Sequence, residues 1–184
     1  MRHIITSIIF MIFSLNVSAS DYKLITWDHL IPETELEVLK KVSVLLSNPH
    51  LSMDMDVDLR REILIAQSQL EDPDVQGVMN SINVRDEFNN KAVRIPGFLV
   101  PVEMDDEGAI TEFFLVPYFG ACIHVPPPPP NQIIYVRYKK GVHVAEISIP
   151  YEIKGTLFTE TIENDTAISA YTFEADEVIE YKEE

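Results

Sequence analysis

Cys122 and His124 stand two residues apart in the run Tyr118-Phe119-Gly120-Ala121-Cys122-Ile123-His124-Val125, directly ahead of five consecutive prolines at 126–130. In extended backbone alternate side chains share a face, so the thiol and the imidazole are expected to project side by side. A thiolate with an imidazole is a ligand pair suited to zinc or copper. Two ligands do not close a tetrahedral site, and His29, His50, His143 or any acidic residue could complete it. Spacing does not choose among them. The same pair read as nucleophile and base would need an orienting group and an oxyanion hole, which no motif marks. The plainest reading is a buried Cys and a hydrogen-bonded His on a core strand.

The prolines bear on all three readings. Five in a row offer no backbone donor and have a fixed φ, so a polyproline II rod at the surface is expected. It would either brace the Cys-x-His segment or present a ridge to an aromatic groove.

Other chemistry is excluded more easily. There is no Gly-x-Gly-x-x-Gly, phosphate loop, Gly-x-Ser-x-Gly or His-Glu-x-x-His. Asp54, Asp56 and Asp58 begin like a calcium loop, but Leu59 and Ile65 occupy the places that need Gly and a bidentate Glu. The chain carries 30 acidic against 14 basic residues, a formal charge of −16. A nucleic-acid binder needs a cationic face, and adhesion to anionic lipid needs one too. A polyanion attracts cations instead. Arg137, Lys139, Lys140 and His143 form the one basic cluster, read as a solvated hairpin tip.

The elements that must position these groups divide the chain. Residues 1–19 have the order of a secretory signal: Arg2 and His3, an apolar run from Ile4 to Leu15, then Val17-Ser18-Ala19 before the cut. The apolar run is too short to span a membrane, and no Cys follows the cut to carry a lipid. Loss of Arg2 leaves 13 basic against 30 acidic residues, a formal −17, in an exported chain beginning at Ser20. Cys122 is the only cysteine, so no intramolecular disulfide forms and the hydrophobic core must suffice.

Residues 20–90 read as mostly helical. Pro32, Glu33 and Glu35 suit a helix start, with Leu36, Leu39, Val42 and Leu46 as its apolar face. A second helix is expected after Asp58, with Leu59, Ile63, Ala66 and Leu70 on one side, ending at Asp72-Pro73. Residues 91–184 read as strands packed with those helices in one domain. Strands at 98–103 and 110–116 flank the turn Asp105-Asp106-Glu107-Gly108, and 133–138 and 142–149 flank Lys139-Lys140-Gly141. Strands from 151 to 157 and 168 to 175 follow, with a turn at Asn164-Asp165. Pro96, Pro101 and Pro117 imply edges, bulges or strand ends. The expected fold is α+β: N-terminal amphipathic helices, then a small antiparallel, partly closed, OB-like barrel of five to six strands.

Three stretches carry a resemblance: Trp27-Asp28-His29-Leu30-Ile31-Pro32; Val93-Arg94-Ile95-Pro96-Gly97-Phe98-Leu99-Val100-Pro101; and the block from Ile110 through Cys122, His124 and the prolines to Asn131-Gln132. Together they resemble an uncharacterised family of exported proteobacterial proteins, DUF3299, across nearly the whole mature chain. The resemblance supplies no catalytic residue. It implies a genomic setting beside an ABC-type permease, its ATPase and a periplasmic component, in clusters associated with zinc limitation. The expectation is therefore a periplasmic, non-enzymatic accessory protein that handles a transition metal, zinc foremost, with Cys122 and His124 as ligands. The alternatives are a metal-free module docking on a transporter component and, third, a Cys-His enzyme.

Overall fold

The computed structural model describes residues 22–46, 72–121 and 127–182. The signal segment, the expected second helix, the three aspartates, and Cys122 and His124 themselves lie outside the described residues.

The described elements run as β1 (Lys23–Leu24), a 3-10 turn Trp27–Leu30, α1 (Glu33–Leu46), α2 (Pro73–Met79), a 3-10 turn Asp86–Phe88, β2 (Lys91–Met104), β3 (Ile110–Val116), a 3-10 turn Pro130–Gln132, β4 (Ile134–Val142), β5 (Tyr151–Phe158), the short pair β6 (Ile162–Glu163) and β7 (Ile168–Ser169), and β8 (Tyr171–Glu180). The strands β2-β3-β4-β8-β5 pair in that order, and β5 returns to pair with β2, closing a five-stranded barrel. The ladder is antiparallel except that β4 and β8 run parallel, while β1 lies parallel beside β2 as an extra strand. An α+β fold with a small closed barrel is thus present, in the strand order of an OB-like barrel.

Closure depends on β2 serving two partners. Lys91 to Gly97 register with β5, and Phe98 to Met104 register with β3. At the handover, a Cβ on Gly97 would stand 2.8 Å from Leu115 Cγ and 2.9 Å from Trp27 Cζ2. Only glycine lets the indole lie that close to the strand. Trp27 Nε1 donates to Pro96 O at 2.8 Å. N and O of one strand residue point to the same side, so the N–H that Pro96 lacks faces the indole rather than β5. The other two prolines sit as expected: Pro101 at a register shift, Pro117 just past the end of β3.

Phe113 and Leu115 face the main core inside the barrel, with Val93, Ile95, Ile134, Ile153, Tyr171 and Phe173. Phe114 and Val116 point outward into a second apolar cluster with Ala121, Ile133 and Tyr135. β3 is therefore buried on both faces, which is why its sequence shows a continuous apolar run rather than alternation.

Two expectations are corrected, at the Lys139-Lys140-Gly141 hairpin and at the end of the last strand. Lys139-Lys140-Gly141 does not turn the chain: β4 continues to Val142, and residues 143–150 form no strand. From Arg137↔Glu112 to Val142↔Ile110, five steps on β4 oppose two on β3, so a wide bulge absorbs the residues that signalled a turn. The basic cluster there is not a free tip, because Lys140 Nζ donates to Asp176 O at 2.8 Å and Arg137 reaches Glu174 at 3.4 Å. Asp72-Pro73, expected to end the second helix, caps the start of α2: the Asp72 carboxylate accepts from Asp74 N at 2.8 Å with Pro73 in the first turn, while the expected second helix itself lies outside the described residues. The last strand runs to Glu180, five residues beyond its expected end.

Candidate functional site

The turn Pro130–Gln132 is the point where four parts of the chain meet. Its geometry starts from Glu35, in the first turn of α1, where Glu35 N bonds Pro32 O at 2.9 Å. Glu35 is 8% exposed, whereas Leu36 and Leu39 of the expected apolar face are only half-buried. Its Oε1 accepts from Ser81 Oγ at 2.9 Å and from Asn83 Nδ2 at 2.6 Å, and its Oε2 accepts from Asn131 Nδ2 at 2.9 Å. Among the described residues no Lys, Arg or His forms an ion pair with it. A buried carboxylate without a cation needs donors, and three neutral ones supply them.

Asn131 is wholly buried and also ties the turn to the 81–83 segment. Its backbone N donates to Ser81 O at 3.2 Å and its Nδ2 to Asn83 O at 3.2 Å. Gln132 Nε2 donates to Trp27 O at 3.1 Å, and Ala170 N donates to Pro130 O at 2.8 Å. Tyr171 locks the same region, its hydroxyl donating to Leu30 O and accepting from Arg85 N, both at 2.8 Å. Burial pushes the Tyr171 phenol up to about 12. Asn131 Oδ1 and Ser169 Oγ are buried with no partner among the described residues.

With roughly four lone-pair sites and three donors on it, Glu35 is built to hold segments together rather than to take a proton from substrate. What it holds is the far end of the connection that carries Cys122 and His124. The near end is set by Ala121, 1% exposed within the outer apolar cluster. The prolines between are not a surface rod throughout: Pro127 is exposed, Pro128 and Pro129 are buried, and Pro130 opens the 3-10 turn. Lacking N–H groups, they can be buried without orphaning a backbone donor.

Two of the three histidines considered as further ligands are described, and the fold separates them. His29 is exposed in the turn after β1, its Nδ1 accepting from Thr26 N at 3.0 Å, which leaves Nε2 for other partners. His143 is exposed beyond the far end of β4, whose nine residues span about 27 Å. Among the described residues no three His, Cys, Asp or Glu come together as a metal-binding group. Sequence reasoning missed Ser81, Asn83 and Asn131 and took Glu35 for a dipole partner. The one available signal was the Asn131-Gln132 pair, two amides closing an otherwise apolar run.

The outer face of β2 and β3 is the other conspicuous surface. Phe98, Val100 and Val102 alternate along one side of β2 and pack against the outer cluster. Phe119 is 55% exposed, its ring 6.1 Å from that of Phe98. Among the described residues no helix is long and apolar enough to cross a membrane.

No curated protein matches this chain. A solved structure, a DUF3299 family protein from Pseudomonas aeruginosa PAO1, is similar at 32% identity and a TM-score of 0.61, covering 89% of this chain and 98% of its own. The family model described as "Protein of unknown function (DUF3299)" matches residues 27–180, from the tryptophan that packs on Gly97 to the last residue of β8. The chain belongs to the DUF3299 family.

Proposed function

We propose that the protein is an exported, non-enzymatic accessory protein of the periplasm that binds or hands on a transition metal, zinc, alongside an ABC-type transport system. Cys122 and His124 are the proposed ligands. The observation in favour is the tethering of the connection that carries them. Residues 117–133 form the longest link between barrel strands, and both its ends are held, by Ala121 in the outer cluster and by Asn131 and Gln132 in the polar network. Long connections on a rigid scaffold commonly carry function. The acidic surface favours approach of a cation.

The test is the zinc content of protein purified from the periplasm without chelator, followed by zinc titration. Cys122→Ser and His124→Ala are each expected to weaken binding by at least about a hundredfold, the upper range for losing even an outer partner of a metal ligand. Binding should also fade as pH falls, because both ligands must shed protons. An unchanged titration in the double variant overturns the site. That result would favour a metal-free docking module, for which the exposed Phe119 against Phe98 is the supporting observation. Phe119→Ser would then abolish co-purification with a transporter component.

A further inference from the structure

We propose that His29 is a pH-sensitive latch on the turn Trp27–Leu30, closed while the imidazole is neutral and opened when it takes up a second proton. The proposal is independent of the zinc reading. His29 is exposed, and its Nδ1 accepts from Thr26 N at 3.0 Å. A backbone amide only donates, so Nδ1 must offer a lone pair, and the neutral ring carries its proton on Nε2. Thr26 Oγ1 lies 2.9 Å from the same nitrogen. A second proton turns Nδ1 into a donor. The hydroxyl adapts, since it accepts as well as donates, but the amide does not, and two N–H groups are left facing each other. The contact becomes repulsive, and the ring or the Thr26 peptide has to move.

What the latch holds is set by the residues on either side of Thr26. Ile25 is wholly buried, its N donating to Arg94 O at 3.0 Å on β2. Trp27 is half-buried, its indole against Gly97 and its Nε1 donating to Pro96 O at 2.8 Å. The Trp27 carbonyl accepts from Gln132 Nε2 at 3.1 Å, which ties the turn to the far end of the 117–133 connection. Ile25 is fixed in the strand ladder, so displacement of the Thr26 peptide passes to Trp27, and through its carbonyl to Gln132. The charged groups on the elements packed around His29 are Asp28 on the turn, Glu33 at the start of α1, and Arg85, Asp86 and Glu87 beside Phe88, whose ring meets the imidazole edge-on at 6.4 Å. The turn Pro130–Gln132 brings none. Arg85 and Glu87 pair with each other, so neither takes Nδ1 from Thr26.

Trp27 is the only tryptophan, so intrinsic fluorescence reads the latch. Imidazole is the side chain that changes charge between about pH 8 and 5, and the purified chain is titrated over that range with chelator present. The emission maximum is expected to move to longer wavelength as pH falls and the indole leaves Gly97 for water, and to return when pH is raised. The Gln132 side-chain amide, followed by ¹⁵N NMR, should shift with the same midpoint. His29→Gln keeps an acceptor oxygen at the third position of the turn and has nothing to titrate, so both signals should hold their neutral-pH values throughout. His143→Gln, which removes a different exposed imidazole, should titrate as the wild type does. A fixed emission maximum in the wild type, the same shift in His29→Gln, a shift abolished by His143→Gln, or a Gln132 amide that does not move would each overturn the proposal.

Discussion

Glu35 shows how far a residue's role departs from its type. By position it is a first-turn acid of the kind that complements a helix dipole. In the fold it is the acceptor for Ser81, Asn83 and Asn131, which lie 46, 48 and 96 residues away in sequence. Glu35→Leu leaves those donors unpaired in the interior and should cost about 3 kcal/mol, read as a lower urea midpoint with unchanged slope. Glu35→Gln keeps one acceptor oxygen and should cost about half as much. A smaller loss from Leu than from Gln would show that the network contributes nothing. Tyr171 gives a pH test. Its phenol is pushed up to about 12 in the folded chain, first by burial, against an unfolded value near 10. The unfolded state therefore releases its proton first, so the stabilisation is intact below pH 10 and is lost as pH rises toward 12. The loss amounts to roughly 1.4 kcal/mol per pH unit for one such group. Tyrosinate absorbance should show Tyr171 and Tyr135 ionising last, Tyr135 being raised to about 12 by burial and by its hydrogen bond to Glu112. In Tyr171→Phe the alkaline fall in stability should shrink; an unchanged profile would contradict the assignment.

At the scale of elements, periodicity and turn chemistry located α1, β3, β5 and the turn after β2, because those signals are local. Asp105 Oδ1 accepts from Glu107 N and Ala109 N in that turn, with Gly108 at φ +79°. Local signals misled at Lys139-Lys140-Gly141, where the neighbouring strand pulled turn-forming residues into a bulge. Another bulge sits where β5 meets β8. Between Lys154↔Glu177 and Gly155↔Ala175 the residue left over is Asp176, whose carbonyl is satisfied by Lys140 Nζ. Gly155 makes that crossing possible, since a Cβ there would stand 2.1 Å from Glu174 O. Gly155→Ala should cost about 3 kcal/mol and lower hydrogen-exchange protection in β5 and β8 first. Uniform loss of protection across the barrel would instead make the closure a single cooperative unit.

For the whole molecule, net charge sets a measurable condition. A formal −16 makes the folded chain repel itself, and salt screens this as the Debye length falls from about 30 Å at 0.01 M to about 8 Å at 0.15 M. Raising NaCl over that range should lift Tm by about 3 °C, roughly 1 kcal/mol for a chain of this size. A fall would mean that ion pairs such as Lys154 with Glu177 and Arg94 with Glu152 outweigh the repulsion.

What the amino-acid order determines by itself is whatever depends on neighbours along the chain: the acidic balance, the single cysteine, the α+β class, most strand positions and the proline-rich connection. Those follow from side-chain period, fixed φ and summed charge, none of which needs a partner far away. Closure of the barrel, the parallel β4–β8 pair, the double burial of β3 and the Glu35–Asn131 network belong to tertiary structure alone. Each requires groups distant in sequence to be desolvated against one another, and a buried carboxylate is tolerated only where those distant donors arrive.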